Sequence, residues 1–165
     1  MKNQSFVIHP AVSKDLETLQ QLAYEIWPFY YQTIISMDQI EYMLRLFSNT
    51  EYLQAQMNAG MRTFLVFEGD KPIGYMALMP QDKSKMKLDK LYLLPETRGK
   101  GYGKNMLEFA ENQVKDLGFE SLILNVNRFN PSLDFYKKAG FIVVQQVDIP
   151  LGPFWLFDFI MEKNL

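Results

Sequence analysis

Between Leu88 and Ala110 the chain reads LDKLYLLPETRGKGYGKNMLEFA: an apolar strand, a glycine-rich turn and an amphipathic helix. No other stretch limits the fold so strongly. Gly99, Gly101 and Gly103 remove side chains where a ligand must approach the backbone. The unpaired N–H groups of such a turn, with the positive end of the following helix, favour an anion. Spacing then excludes two phosphate motifs. A dinucleotide fingerprint starting at Gly99 or Gly101 would need its last glycine where Lys104 or Met106 stands, and a P-loop would need glycine at Arg98 and a hydroxyl at Asn105. A pyrophosphate cradle of another kind remains.

The flanking sequence extends this into a β–α–β unit. Gly103, Met106, Leu107, Ala110, Val114 and Leu117 mark one helix face, with Lys104–Glu108 and Glu111–Lys115 as i,i+4 pairs outside and Gly118 as the stop. Ser121 to Val126 alternates as a strand, which a crossover helix makes parallel to the strand before the turn. Asn130 (cap), Pro131 and Gly140 bracket a short helix. Strands at Phe141–Val147 and Phe154–Met161 follow around Pro150-Leu151-Gly152-Pro153, leaving 162–165 as a polar tail.

Upstream, the pattern predicts a strand at Ser5–His9 and a helix from Lys14, with Ser13 as N-cap, that ends near Trp27-Pro28. Helices then run from Asp38, as N-cap, to Phe47 and over Glu51–Asn58. Strands at Arg62–Phe67, Ile73–Met79 and Met86–Leu94 form an antiparallel meander. Phe29 to Ile35 is an aromatic run suited either to core and lid packing or to an acceptor pocket, and Glu25 and Glu41 read equally well as amine ligands or solvated helix faces. At 165 residues and 48% hydrophobic, the chain suits one α/β domain over 1–165.

Composition removes whole classes of function. Seventeen basic against nineteen acidic residues give a net charge of −2, so no overall basic field recruits nucleic acid or an acidic membrane. With no cysteine, disulfides, thiolate zinc sites and cysteine nucleophiles are excluded, and the single His9, at a strand end, reads as a surface or capping residue. No metal site is expected. The start MKNQSFVIHP lacks the apolar run of a signal peptide, so a cytoplasmic protein is expected.

Arg98, Gly101 and Gly103 match the pattern Arg/Gln-x-x-Gly-x-Gly/Ala, and Asn130-Pro-Ser-Leu-Asp-Phe-Tyr-Lys-Lys-Ala-Gly-Phe141 looks like Asn-x-x-Ala-x-x-Phe-Tyr-x-x-x-Gly-Phe with Leu133 in place of alanine. Together these resemble the acyl-coenzyme A motifs of the GCN5-related N-acetyltransferase (GNAT) superfamily. The closing region, with Leu151-Gly152 and Asp158 to Lys163, looks most like the branch that includes PaiA-type polyamine N-acetyltransferases. The resemblance implies a mixed, mostly antiparallel twisted sheet of about seven strands flanked by helices, with a splayed parallel pair at the cofactor site.

It also implies a chemistry. Acetyl-CoA would be the acyl donor and a primary amine the acceptor, favouring small amines or polyamines, with direct transfer in a ternary complex. Backbone N–H groups of Arg98, Gly99, Lys100, Gly101, Tyr102, Gly103 and Lys104 would hold the pyrophosphate, reinforced by the side chains of Arg98 and Lys104. The strands near Leu91, Tyr92 and Leu93 and near Asn125 to Asn127 would admit the pantetheine arm. Tyr136 falls where relatives protonate the departing thiolate, and Asn130 would either touch the cofactor or only cap its helix. Asp89 is the first candidate base and Asp158 the second; an ion pair with Lys85, Lys87 or Lys90 explains Asp89 equally well. A homodimer is open, and the alternatives are an acyl-CoA sensor without turnover and a protein N-terminal or lysine acetyltransferase.

Overall fold

The computed structural model describes residues 5–165, so the first four residues of the amino-terminal stretch read above lie outside the described residues. In chain order the elements are β1 (Phe6–Pro10), α1 (Leu16–Tyr31), α2 (Met37–Phe47), α3 (Thr50–Asn58), β2 (Arg62–Glu68), β3 (Lys71–Pro80) and β4 (Lys85–Leu93). Then come α4 (Tyr102–Asp116), β5 (Ser121–Asn127), α5 (Ser132–Lys138), β6 (Ile142–Leu151) and β7 (Phe154–Asn164). The strands form one seven-stranded sheet in the order β1-β2-β3-β4-β5-β7-β6, antiparallel at every neighbouring pair except β4–β5. That is the mixed, mostly antiparallel sheet the resemblance implied.

The sheet buries both faces. Trp27 of α1 donates from Nε1 to the Tyr75 hydroxyl at 2.9 Å, placing α1 on the Tyr75 face. Leu65, opposite Tyr75 in register, shares that face, so Phe64 points the other way, where it meets Phe109 of α4 edge-on. Helices therefore cover opposite faces, and Ile26, Met76, Leu78, Met86, Met106, Leu122 and Met161 lie fully buried between the layers.

The structure corrects several boundaries. α1 does not end at Trp27-Pro28 but runs through Pro28 to Tyr31. Burial of Trp27 and its bond to Tyr75 outweigh the single helix bond that proline removes. Ser13 lies in a short 3-10 turn before α1, and α2 is capped by Ser36, whose Oγ accepts from Gln39 N at 3.2 Å, not by Asp38. Residues 162–164 are not a tail. They extend β7 against Ser121 to Ile123 because each charge finds a partner: Glu162 accepts from Ser121 Oγ at 2.8 Å and Lys85 at 3.2 Å, and Lys163 donates to Glu111 at 2.7 Å. That last contact takes Glu111 away from the expected pairing with Lys115.

β3 and β4 pack tightest where the site begins. Gly74 lies opposite Leu93, and a Cβ there would run into the Tyr92 carbonyl oxygen and come within 2.8 Å of Leu93 Cδ2. Gly74→Ala is expected to destabilise the fold by about 1–3 kcal/mol, the usual range for overpacking. A fall in the midpoint of urea unfolding at constant slope would show it; an unchanged midpoint would mean that β4 shifts freely.

Candidate active site

β4 and β5 pair at only three positions, Lys85–Ser121, Met86–Leu122 and Lys87–Ile123, and then diverge. Beyond them β4 continues against β3 and β5 against β7, so the facing edges have no ladder partner in each other. A cleft of about 330 Å³ opens there. A bulge helps to open it: Ala77 faces Lys90 while Leu78 faces Leu88, leaving Asp89 as the extra residue on β4. Two strand edges with free amides suit a ligand arm that itself carries amides, as pantetheine does.

The glycine turn stands at one end of the cleft. Gly99 and Gly101 have φ of 77° and 78°, which side chains rarely adopt, and a Cβ on either would meet only open space. Backbone geometry, not crowding, therefore calls for glycine here. The N–H groups from Gly99 to Lys104 have no backbone acceptor among the described residues, the first helical bond being Asn105 N to Gly101 O. Arg98 N, in contrast, already donates to Pro95 O at 3.2 Å, so the run of N–H groups without a backbone acceptor begins at Gly99. The donor set fits a diphosphate.

Side chains of the turn point elsewhere. Glu68 of β2 accepts from Lys100 Nζ at 2.9 Å and from the Tyr102 hydroxyl, and Phe6 stacks on Tyr102. These donors hold the Glu68 carboxyl below its ordinary range, Tyr102 first and Lys100 second. Arg98 lies over the rings of Phe29 and Tyr30 at 5.0 and 4.7 Å, joining the end of α1 to the turn. Lys104 is exposed.

The cleft wall holds Asp89, Leu91, Tyr92, Leu93, Gly103, Asn125, Asn130 and Tyr136. Asn130 Oδ1 accepts from Ser132 N at 2.9 Å, so capping accounts for its side chain. Tyr136 packs edge-on against Phe135 and Phe141, and burial, followed by the proximity of Tyr31, pushes its hydroxyl well above the usual phenol range. The Tyr31 and Tyr92 hydroxyls share a hydrogen bond of 3.0 Å. Asp89 is 2.6 Å from the buried Lys90 ammonium and 3.7 Å from Lys87. Asp158, 8% exposed, receives a 3.4 Å bond from Asn125 Nδ2, and burial raises its carboxyl.

Residues 17–141 match the acetyltransferase (GNAT) family. The chain belongs to the GNAT family. Over 157 residues, covering 92% of each chain, this N-acetyltransferase is 35% identical to a spermidine N(1)-acetyltransferase of Thermoplasma acidophilum. The crystal structure of the PaiA N-acetyltransferase of that organism in complex with coenzyme A superposes with a TM-score of 0.83, at 34% identity and with 98% and 99% of the two chains covered. A peptidyl-lysine N-acetyltransferase of Escherichia coli, YjaB, is 31% identical over 112 residues, 62% of this chain and 69% of that one.

Acetyl-CoA is thus the acyl donor of this GNAT enzyme, and the free strand edges and N–H cradle fit it. Tyr30, Tyr31 and Ile35, from the aromatic run that the sequence offered as either lid packing or an acceptor pocket, also line the cleft. Met43 and Leu156 line it too, and no sequence signal marked them. Glu25 and Glu41 are exposed and off the cleft wall, and His9 lies on β1 against Phe67. Among the described residues, no helix is long and apolar enough to cross a membrane.

Proposed function

We propose that the enzyme acetylates a small cationic primary amine, with polyamines as the leading acceptors, by direct transfer in a ternary complex. The observation that carries this reading is the charge of the cleft wall: Asp89 and Asp158 line it, and among the described residues no lysine, arginine or histidine does. An acceptor that is itself a cation is matched there. Lys90 and Lys87 offset Asp89, but an acceptor bearing a carboxylate beside its amine still meets like charge at Asp158, which costs several kcal/mol. The resemblance to a spermidine acetyltransferase along most of both chains supports the same class.

Bound acetyl-CoA supplies a thioester carbonyl as electrophile and a thiolate as leaving group. The N–H groups of Gly99 to Lys104 hold the diphosphate, and the diverging edges of β4 and β5 orient the arm so that the thioester lies in the cleft. Tyr136 donates a proton to the sulfur. Tyr30, Tyr31, Ile35, Met43 and Leu156 wall off water around the acceptor.

The test is thiol release from acetyl-CoA with spermidine, simple alkylamines, free amino acids and lysine peptides. Spermidine or an alkylamine is expected to exceed any amino acid by at least about tenfold in kcat/KM. Preference for lysine peptides would move the acceptor to protein side chains, and coenzyme A binding without turnover on any amine would identify a sensor.

A further inference from the structure

We infer that Asp158 binds the acceptor ammonium and takes its proton, and that Asp89, though it lines the same cleft, does not. The inference rests on the amine-acetyltransferase reading above.

Asp158 lies within β7, opposite Asn127 of β5 and Val147 of β6, on the wall that also carries Tyr31, Leu156 and Tyr136. Its hydrogen bond from Asn125 is long at 3.4 Å. The charged and titratable groups around it come from every neighbouring element. Lys87 of β4 is engaged by Asp89 at 3.7 Å, and Arg128, after β5, pairs with Asp148 of β6. The hydroxyl of Tyr31 in α1 is raised first by burial, and the nearby Asp158 charge adds to that. Burial outweighs the pull of Asn125, Lys87 and Arg128, so the carboxyl stays above the usual range. A buried carboxylate with so little compensation is stabilised when a cation arrives.

Asp89 is the opposite case. Lys90, 7% exposed, donates to Asp89 at 2.6 Å, Gln56 Oε1 at 2.9 Å and Met61 Sδ at 3.6 Å, and Asp89 alone of these carries a negative charge. Protonating Asp89 would leave that ammonium buried without its counter-charge, the costly outcome for a buried pair. Asp89 therefore anchors the β4 bulge through Lys90, while Asp158 is available for the substrate.

Desolvation in the closed cleft raises the carboxyl and lowers the ammonium, narrowing the gap across which the proton moves. The ammonium gives up one proton before its nitrogen, with the lone pair so freed, bonds to the acetyl carbon, and a second as the carbon–sulfur bond breaks. Asp158 takes one and later releases it to solvent; the other balances the proton that Tyr136 delivers to sulfur and then regains.

The test combines kinetics with direct titration. Asp158→Asn is isosteric and keeps an oxygen for Asn125. It is expected to lower kcat/KM for spermidine about 100-fold or more without weakening coenzyme A binding. The wild-type acid limb of kcat/KM, set by Asp158 protonation, is expected to be replaced in Asp158→Asn by a rise that follows the neutral fraction of the free amine towards higher pH. It is expected to be kept in Asp89→Asn, and Asp158→Glu should recover part of the rate. Independently of turnover, the carboxyl carbon of Asp158, followed by NMR in the coenzyme A complex, should titrate at lower pH once spermidine is added. Wild-type kcat/KM with an intact acid limb in Asp158→Asn overturns the inference, and so does an Asp158 titration unmoved by spermidine. Absence of turnover in the wild-type enzyme would instead defeat the acetyltransferase reading, leaving the NMR titration to decide Asp158.

Discussion

Gly101→Val is expected to lower coenzyme A affinity by at least about 100-fold while the protein stays folded. Gly101 sits at φ 78° and ψ 9°, in the left-handed region, where a residue with a Cβ is strained by about 1–2 kcal/mol. The chain escapes that strain by rotating the adjacent peptides, which turns N–H groups of the cradle away from the diphosphate. Each charge-assisted bond lost removes about 1.5–3 kcal/mol, so two are enough for the predicted fall. Gly118, at φ 82° beyond the far end of α4, supplies the control, because a Cβ there also meets open space. Gly118→Val imposes comparable strain away from the cleft and should leave coenzyme A binding intact. Calorimetric titration of both variants decides the matter: affinity within about threefold of wild type in Gly101→Val would show that the turn is not the cradle.

Sequence made this region legible because its determinants are local. The glycine turn, the cap at Asn130 and the helix face from Met106 to Val114 are each written within a few residues, and each appears in the structure, where the left-handed φ of Gly99 and Gly101 adds a reason for glycine beyond close approach of a ligand. The acceptor wall is different. Tyr31 from α1, Met43 from α2, Leu156 from β7 and Tyr136 from α5 meet only through tertiary packing, and no spacing rule connects them. Reading Pro28 as a helix stop also removed Tyr30 and Tyr31 from α1, so the aromatic run could be offered as a pocket but not placed on the end of that helix. Asp89 shows the same limit on a smaller scale. Three lysines lay within reach in sequence, but the bulge and α3 decided that Lys90 and Lys87 hold it, while Lys85 turns to Glu162.

Arg98 illustrates how a motif residue acquires a second use. Its guanidinium rests on Phe29 and Tyr30, so the glycine turn also touches the end of the helix that lines the cleft. Glu68 draws Lys100 and Tyr102 to the other side. The two contacts fix the turn from both flanks, and its N–H groups from Gly99 to Lys104 have no backbone acceptor among the described residues.

Tyr136→Phe is expected to lower kcat about 100-fold, within the range for loss of a positioned general acid, with coenzyme A affinity changed by less than about threefold. The phenyl ring keeps the edge-on packing against Phe135 and Phe141, so α5 should stay in place. The hydroxyl itself is pushed up by burial and then by Tyr31, with no hydrogen bond among the causes. It therefore remains protonated through and above neutral pH, as a donor to a thiolate must, and its removal orphans no protein partner. Tyr31 differs in this respect: Tyr31→Phe leaves the Tyr92 hydroxyl without its 3.0 Å partner and should affect stability as well as rate. If Tyr136→Phe kept the wild-type kcat while Tyr31→Phe lost it, the proton donor would be Tyr31. Equal retention in both would mean that sulfur departs without protonation by either tyrosine.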